Sequence, residues 1–448
     1  MNFSDIKNIH FVGIGGIGMS GIAEVLADAG VAVSGCDLKG SAATDLLTGR
    51  GIAVTIGHDP AHLEHGVDLV VVTSAIKGDH AEVDAARRKG IRIMKRSELL
   101  GAIVNAKRAV AVSGTHGKTT TSAMIALVLE EAGLDPTILI GGIVRNFGTN
   151  AKNGGGEMLV VEADEYDRTF HQLHPEIAVV TNVEADHLEY YGTFAAIEEA
   201  FGIFLSHVTG KIVACVDDPA VAKLTAALPN VIRYGMSEGA DVRAINIQHR
   251  EGGMAFEVEG AGFFKLFVPG EHNVRNALAA IAVGRELGIP ATTIAGALAK
   301  FLGVDRRFQI LGEYQGCIVV DDYAHHPTEI RATLDAARRG YPQRRIIALF
   351  QPHLFSRTRD FATDFARALK VADVAIVTPI YAAREQPLDG VSARIIADAL
   401  PGVEFLDRSN AQIVNEMRRR LAPNDVFITM GAGDVHEVAE ELVRGEVA

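Results

Sequence analysis

The chain has 448 residues, of which 48% are hydrophobic and 22% are charged, and these are the proportions of an ordinary globular protein. Its 43 basic and 56 acidic residues leave a net charge of −13, which argues against a general nucleic-acid or membrane-surface binder. Three widely separated cysteines, Cys36, Cys215 and Cys317, form no CxxC pair, which excludes a disulfide framework and a zinc ribbon and fits a reducing compartment.

Short apolar runs alternate with helical patterns over the first hundred residues. We predict strands at 9–12, 31–35, 53–56, 69–73 and 91–94, with a helix between the first two. Strands that alternate with helices form a parallel sheet. No apolar run approaches the ~20 residues needed to cross a bilayer, and residues 1–10 lack a signal-type apolar core, so we expect a soluble, cytoplasmic protein without membrane insertion.

A glycine-rich turn follows the first predicted strand. Residues 13–18 read Gly-Ile-Gly-Gly-Ile-Gly and satisfy GxGxxG between a strand and a helix. Glycines there let the backbone approach a diphosphate, which the helix N-terminus stabilises. Asp37 ends the second strand, where an acid can accept a hydrogen bond from a ribose hydroxyl or a base. The pattern indicates a dinucleotide cofactor without identifying the diphosphate, and a tight glycine turn without a ligand is the structural alternative.

A second loop lies between a predicted strand at 109–112 and a predicted helix at 119–131. Residues 113–121 read Ser-Gly-Thr-His-Gly-Lys-Thr-Thr-Thr. Backbone amides of such a loop cradle phosphates, Lys118 neutralises the β/γ charge, and the Thr119 hydroxyl ligates Mg²⁺. Val112 stands where the strict Walker spacing has glycine, so this is a shortened variant of that loop.

Acidic side chains follow the predicted strands at 158–161 and 177–181. Residues 162–165 read Glu-Ala-Asp-Glu, and residues 182–187 read Asn-Val-Glu-Ala-Asp-His. Carboxylates at strand C-termini suit a Mg²⁺ position that faces the phosphates, and an imidazole beside them suits a second cation.

A third region follows, with predicted strands at 318–320, 346–350, 374–378 and 426–430 and a helix at 361–369. Residues 321–327 contain two adjacent histidines beside acids, but neighbouring side chains seldom converge on one ion, so polar substrate binding or helix capping is the better interpretation. Arg357, after another strand end, is suited to clamp a carboxylate. The whole pattern predicts three α/β domains: a Rossmann-like N-terminal domain (1–105), a central P-loop ATPase-type domain (106–310) and a C-terminal Rossmann-like α/β domain (311–448).

Four segments, 114–121, 162–165, 182–187 and 272–277, resemble the motifs of the Mur ligase family, and the resemblance covers nearly the whole chain. Within the family, other segments resemble most closely the branch that joins L-alanine to UDP-N-acetylmuramate; these segments are 13–21, 321–327 and 351–357. The resemblance implies domains that bind the UDP-sugar, ATP and the amino acid, in chain order. It also implies a peptidoglycan-precursor ligase that forms an amide through an acyl phosphate, releases ADP and phosphate, uses Mg²⁺ or Mn²⁺, and is a monomer or homodimer.

The resemblance also assigns residues. For the UDP-sugar these are Gly13, Gly15, Gly16, Gly18, Ser20, Asp37, His58 and Ser74. For ATP they are Gly114, Thr115, His116, Gly117, Lys118, Thr119, Thr120, Asn273, Asn276, Arg306 and Arg307. For the amino acid they are Asp322, Tyr323, His325, His326 and Arg357. The implied metal ligands are Thr119, Glu162 and His187, and the implied catalytic residues are Lys118, Glu162, His187, His325, His326 and Arg357.

Two departures from the family pattern affect these expectations. Leu354 stands where many relatives have a basic residue, so the clamp on the amino-acid carboxylate depends more on Arg357. Residues 192–207 contain no lysine, so we expect none of the carbamylated lysine of several sister ligases, which favours the alanine-adding branch.

Three alternatives remain at this level. One is a related ligase that attaches a recycled peptide to the same nucleotide sugar. Another is an NAD-dependent oxidoreductase based on residues 13–18 and Asp37, which leaves the Lys118 loop unexplained. The last is a binding protein that uses ATP only as a switch, which leaves the first glycine loop without a purpose.

Overall fold

A computed structural model describes residues 6–445 apart from residues 65, 74–75, 77–78 and 384. The chain forms two compact units. The first comprises Met1–Ile245, Val258–Gly262 and Arg275–Leu298, and the second comprises Asn246–Glu257, Phe263–Val274 and Ala299–Ala448.

The first sheet of the first unit is parallel and lies near the N-terminus. Its strands are β1 (Asn8–Val12), β2 (Ala32–Asp37), β3 (Ala53–Ile56), β4 (Leu69–Val72) and β5 (Arg92–Lys95). Its helices are α1 (Ile17–Asp28), α2 (Ala42–Gly49), the 3₁₀ helix Pro60–Leu63, α3 (Ala81–Arg88) and α4 (Arg96–Val104). The strand order is β3-β2-β1-β4-β5, so the order reverses at β1. Ligands of open α/β sheets bind at such a switch point, and the glycine turn after β1 lies there.

The second sheet of this unit carries the phosphate loop. Its strands within residues 108–235 are β6 (Arg108–Ser113), β7 (Thr137–Val144), β8 (Thr149–Lys152), β9 (Met158–Glu162), β10 (Ile177–Val180), β11 (Lys211–Cys215) and β12 (Val231–Gly235). The accompanying helices are α5 (Lys118–Glu131), the 3₁₀ helix Tyr166–Gln172, α6 (Leu188–Tyr191), α7 (Phe194–Ser206) and α8 (Pro219–Thr225). The strands run in the order β12-β11-β10-β6-β9-β7-β8, and β6 pairs in parallel with both β9 and β10. The loop after β6 is therefore flanked by the ends of two parallel strands.

Helix α1 packs against the second sheet within the same unit. Gly21 of α1 lies so close to β8 that a Cβ there would be 3.1 Å from Asn150 Nδ2 and 3.2 Å from Ala151 Cβ. Met19 and Ile22 share one buried core with Leu139 of β7. This packing holds the N-terminus of α1 beside the second sheet.

β13 (Val242–Arg250) leads from the first unit into the second. The remaining strands are β14 (Gly253–Val258), β15 (Gly262–Leu266), β16 (Gln309–Tyr314), β17 (Cys317–Asp322), β18 (Arg345–Phe350), β19 (Val374–Val377), β20 (Val403–Phe405) and β21 (Asp425–Met430). The remaining helices are α9 (Glu271–Glu286), α10 (Ala291–Ala299), α11 (Pro327–Gly340), α12 (Phe355–Leu369), α13 (Arg394–Ala399), α14 (Asn410–Arg420) and α15 (His436–Arg444). The C-terminal sheet has the order β16-β17-β21-β18-β19-β20, and it is parallel except for the edge strand β16.

The predicted strands are all present, with ends that differ by no more than a few residues. The strand predicted at 53–56 is β3, and the one predicted at 91–94 is β5, shifted by one residue. The predicted start of the helix at 361–369 is wrong, because α12 begins at Phe355. The first turns of α12 bury Arg357 and Thr358, so polar side chains hide the apolar periodicity there. Among the described residues, no helix combines the length and hydropathy needed to cross a membrane.

Candidate active site

The loop between β6 and α5 is held by the end of β10. The backbone N–H of His116 donates to Asn182 Oδ1 at 2.8 Å, and Asn182 Nδ2 donates to the His116 carbonyl at 2.9 Å. Gly114 has φ 137°, and a Cβ there would overlap Thr181 Oγ1, so only glycine fits. The loop conformation is thus fixed by protein contacts before a nucleotide binds.

Lys118 lies under this loop and is paired with a carboxylate. Its Nζ donates to the Gly114 carbonyl at 2.6 Å and to Glu165 Oε2 at 2.8 Å. Burial opposes the charge on Lys118, but Glu165, Asp164 and Glu162 outweigh it and hold the pKa of the ammonium above its ordinary value. Burial raises the pKa of Glu165, and Lys118 opposes that rise. A positive charge is therefore maintained where the loop would receive phosphates.

The three predicted metal ligands follow adjacent parallel strands. Glu162 ends β9 and accepts a hydrogen bond from the Gly141 N–H at 2.8 Å. Thr119, with Thr120, is buried in the first turn of α5. His187 follows β10 with φ 55°, and its ring centroid is 5.1 Å from that of Tyr166. The sheet brings the three to one edge, and their binding of an ion stays a prediction.

The glycine turn after β1 is held from β2. The N–H groups of Gly13 and Ile14 donate to the Cys36 carbonyl at 2.8 and 3.0 Å, and the Gly15 N–H donates to Asp37 Oδ2 at 2.9 Å. A Cβ on Gly15 would lie 2.9 Å from the same carboxylate oxygen. Asp37 thus shapes the turn, and its predicted contact with a ribose or base stays a prediction.

A cleft of about 380 Å³ connects the glycine turn to the carboxylates. Gly16 and Gly18 line it together with Arg96, Glu162 and Asp164. Arg96 is the cation among these lining residues, and a Cβ on Gly18 would be 3.0 Å from its Nη1. The cleft therefore offers the glycine turn and Arg96 to an anionic group at one end, and the carboxylates of Glu162 and Asp164 at the other.

Two further predicted UDP-sugar residues, Ser20 and His58, have contacts with neighbouring protein groups. Ser20 is buried and its hydroxyl donates to the Ile17 carbonyl at 3.2 Å. His58 Nδ1 lies 3.1 Å from Cys36 Sγ and 3.4 Å from Glu82 Oε2, and His58 is not among the residues that line the cleft. Ser74 lies outside the described residues.

The two asparagines predicted near adenine have local contacts. Asn276 Oδ1 accepts from Thr121 Oγ1 at 3.1 Å and would be 2.8 Å from a Cβ on Gly117. Asn276 thus lies directly behind the phosphate loop. Asn273 Nδ2 donates to the Pro269 carbonyl at 2.7 Å.

In the second unit, two predicted arginines surround Tyr323. The guanidinium carbons of Arg306 and Arg307 lie 5.0 and 5.3 Å from the centroid of the Tyr323 ring. Asp322 accepts hydrogen bonds from the N–H groups of Phe308 and Ala324, each at 2.7 Å. Burial raises the pKa of Asp322 to about 6. Asp322 therefore fixes the backbone around Tyr323.

The adjacent histidines of this unit diverge. His325 Nδ1 lies 2.9 Å from the Tyr323 carbonyl, and its ring centroid is 5.9 Å from that of His353. His326 caps α11, and its ring packs edge-on against Phe361 at 5.1 Å. The two rings therefore contact different neighbours, and the roles predicted for them stay predictions. Arg357 is buried in the first turn of the neighbouring helix α12.

Sequence profiles cover three successive parts of the chain. "Mur ligase family, catalytic domain" matches residues 8–108, "Mur ligase middle domain" matches 112–284, and "Mur ligase, glutamate ligase domain" matches 306–433. The chain is 45% identical to the UDP-N-acetylmuramate–L-alanine ligase of Desulforamulus reducens, over 98% of this chain and 97% of the relative. The chain belongs to the Mur ligase family.

Solved structures of Mur ligases agree with this assignment. The UDP-N-acetylmuramate-alanine ligase of Thermotoga maritima superposes with a TM-score of 0.83 at 31% identity and covers 98% of this chain and 99% of its own. The murein peptide ligase of Psychrobacter arcticus gives a TM-score of 0.72 at 26% identity, with 98% of both chains covered. The predicted three-domain α/β architecture with a central P-loop domain is confirmed, whereas the boundaries at 105 and 310 stay predictions.

Mur ligases use ATP, so the family assignment excludes the oxidoreductase interpretation of residues 13–18. Three functional candidates were not singled out by sequence reasoning: Asn182, which clamps the phosphate loop, Glu165, which pairs with Lys118, and Arg96, which lines the cleft. The first two lie inside the quoted motifs, which was the available signal. Arg96 begins α4 outside any motif and is revealed only by the fold.

Proposed function

We propose that this Mur ligase joins L-alanine to the lactyl carboxylate of UDP-N-acetylmuramate in peptidoglycan precursor synthesis, using ATP and releasing ADP and phosphate. Relatives that are 43–45% identical over 98% of the chain carry the corresponding name. The observation that carries the proposal is the cleft that connects the glycine turn at the N-terminus of α1 to Glu162, beside the phosphate loop of Lys118. We place this activity in the cytoplasm.

ATP would bind at the loop of Lys118. The amides of residues 114–118 and the Lys118 ammonium would hold the phosphates. Asn276, behind the loop, would lie near the adenosine moiety. Glu162 and Thr119 offer the oxygen ligands that Mg²⁺ or Mn²⁺ prefers, and His187 would serve a second cation. Such ions neutralise charge on the phosphoryl group that is transferred.

The UDP-sugar would occupy the cleft. Its diphosphate would lie at the glycine turn, beside the N-terminus of α1, because the first N–H groups of a helix lack partners within the helix and favour an anion. Arg96 would contact an anionic group of the ligand, and Asp37 would act mainly by holding Gly15. The lactyl carboxylate would then lie toward Glu162, at the edge of the sheet that carries Lys118.

L-Alanine would bind in the second unit. We assign its carboxylate to Arg357. The rings of Tyr323 and His353, which both contact the His325 ring, would line the same site. The leucine at 354 supplies no charge, so Arg357 would be the main cation for that carboxylate.

The chemistry consists of two displacements. A lactyl carboxylate oxygen attacks the γ-phosphorus of ATP and expels ADP, which gives an acyl phosphate. The alanine amine then attacks the acyl carbon, phosphate leaves with its electron pair, and the nitrogen loses a proton. Lys118 stabilises negative charge in the first displacement, where a fixed cation has its largest effect.

Substrate choice is tested by phosphate release from ATP with UDP-N-acetylmuramate and one amine at a time: alanine, glycine, serine or a peptidoglycan tripeptide. We expect alanine to give the highest kcat/KM. Activity with the tripeptide alone would instead identify a peptide-recycling ligase; the Psychrobacter arcticus relative is named a murein peptide ligase.

The phosphorus that is attacked is tested by heavy-oxygen labelling of the lactyl carboxylate. The proposal expects the label in inorganic phosphate, together with ADP. Label recovered in AMP would indicate an acyl adenylate and would contradict the role given to Lys118.

A further inference from the structure

A buried group of four metal-ligating side chains lies in the first sheet, away from the cleft. His10 is on β1, Cys36 on β2, His62 on the 3₁₀ helix Pro60–Leu63, and Glu82 on α3. One ligand atom from each lies within 4.8 Å of every other. His10, Cys36 and Glu82 are 2%, 0% and 0% exposed, whereas His62 is partly exposed at the rim. Four elements distant in sequence thus converge on one point.

The spacing of these atoms suits a small ion. Glu82 Oε1 is 2.7 Å from His62 Nδ1, and Glu82 Oε2 is 3.1 Å from Cys36 Sγ. Bonds of ~2.0–2.3 Å to a tetrahedral zinc ion separate its ligand atoms by roughly 3.3–3.8 Å. These two pairs would separate by about an ångström or less to accept the ion, and no two of the four ligand atoms lie more than 4.8 Å apart.

One ring nitrogen of His10 is buried without a hydrogen-bond partner among the described residues. Its Nδ1 is 2.9 Å from Ser34 Oγ, which orients the ring, while its buried Nε2 has no hydrogen-bond partner among the described residues. A buried polar atom without a partner is costly. A metal-bound histidine typically binds the ion with one ring nitrogen and makes a hydrogen bond with the other, as Nδ1 of His10 does with Ser34.

We propose that His10, Cys36, His62 and Glu82 form a binding site for one Zn²⁺ ion. Zinc binds thiolate, imidazole and carboxylate ligands, whereas Mg²⁺ prefers oxygen ligands and is disfavoured by a set with one thiolate and two imidazoles. Cys36 releases its proton to solvent on binding, so the thiolate and the Glu82 carboxylate together balance the two positive charges. A buried ion with balanced charge avoids the penalty of an isolated buried charge.

The position of the site gives the ion a structural role for the glycine turn. The Cys36 carbonyl accepts the hydrogen bonds of Gly13 and Ile14, and Glu82 accepts one from the Asp59 N–H at 3.0 Å. An ion on Cys36 and Glu82 would thus tie the strand that anchors the turn to α3 and to the loop after β3. The partly exposed His62 leaves a route of entry.

Zinc binding to the full chain is measured after dialysis against a chelator, by competition with a chromophoric zinc indicator. We expect one equivalent to bind to the wild-type chain. The Co²⁺-substituted protein should show a thiolate-to-cobalt charge-transfer band, because Cys36 is a ligand. Cys36→Ser should abolish this band, and Cys215→Ser, at a buried cysteine of β11 outside the group, should retain it.

His62→Gln at the rim tests the same site with less risk to folding, and it should weaken zinc binding by more than about tenfold. The matched control is His80→Gln, which should retain zinc binding, because His80 is not one of the four proposed ligands and belongs to a second group with His58 and Glu82. Loss of binding in His80→Gln but not in His62→Gln would overturn the ligand set. Absence of stoichiometric binding, or cobalt binding without the thiolate band, would show that the group is only a buried hydrogen-bond network.

Discussion

The two glycine-rich loops of the first unit stand at equivalent places, each after a parallel strand and before a helix, yet they differ in where the charge lies. The turn at 13–18 contains no charged side chain and is shaped from outside by Asp37 and the Cys36 carbonyl. The loop at 113–118 contains its own cation, Lys118, and is clamped by Asn182. A loop that only binds a diphosphate needs accessible backbone N–H groups, whereas a loop at which a phosphoryl group is transferred also needs a fixed positive charge. The comparison predicts that damage to either loop affects one substrate only.

Removal of the Lys118 ammonium should have the largest effect. Lys118→Ala should lower kcat by at least two to three orders of magnitude, about 3–4 kcal/mol, as for other lost contacts to a transition-state charge. Binding of UDP-N-acetylmuramate, measured by calorimetry, should stay within about twofold, because that ligand is assigned to the other loop.

Lys152→Ala is the matched control, since Lys152 pairs with Glu130 at the edge of the same sheet. It should retain wild-type turnover. Near-normal turnover of a folded Lys118→Ala protein would remove Lys118 from its assigned role.

Removal of the Asp37 carboxylate should weaken UDP-sugar binding at the glycine turn 13–18. Asp37→Ala leaves the Gly15 N–H without its charged acceptor, a loss of about 1.5–3 kcal/mol, so UDP-sugar affinity should fall roughly tenfold to a hundredfold. The affinity for an ATP analogue should not change. Equal losses for both ligands would contradict the separation of the two loops.

The clamp on the phosphate loop predicts a smaller effect, this time on ATP. Asn182→Ala removes one donor and one acceptor from His116 and should weaken nucleotide binding by about 1–2 kcal/mol. Asn182→Asp keeps the acceptor for the His116 N–H and should recover part of the loss. A full loss in both variants would show that Asn182 acts other than through these two hydrogen bonds.

The sequence predicts the position of a candidate site residue where that residue lies close to the end of a buried strand in the chain. Lys118 lies just beyond the loop that follows β6, and Glu162 ends β9, so their place at the carboxyl edge of the sheet could be predicted from the local sequence. The pairing of Lys118 with Glu165 and the exposure of Arg96 to the cleft depend on how strands and helices pack, which local patterns do not encode. The same limit explains why the metal-ligating group on β1, β2, α3 and the 3₁₀ helix has no spacing signature.

Gly16→Ala should have the smallest effect on the stability of the protein. It therefore tests ligand binding at the glycine turn without disturbing the fold. Gly16 precedes α1 with φ −68°, which alanine adopts readily, and a Cβ there would meet only the Gly13 carbonyl at 3.7 Å. The free energy of unfolding should therefore change by less than about 0.5 kcal/mol. A diphosphate that lies against the backbone of the turn would meet the new methyl group, so UDP-sugar affinity should still fall while ATP-analogue affinity stays constant. Gly114→Ala is the contrast, because its Cβ would overlap Thr181 and should destabilise the chain itself. Unchanged UDP-sugar affinity in Gly16→Ala would place the diphosphate elsewhere and leave the glycine turn as a purely structural feature of the first sheet.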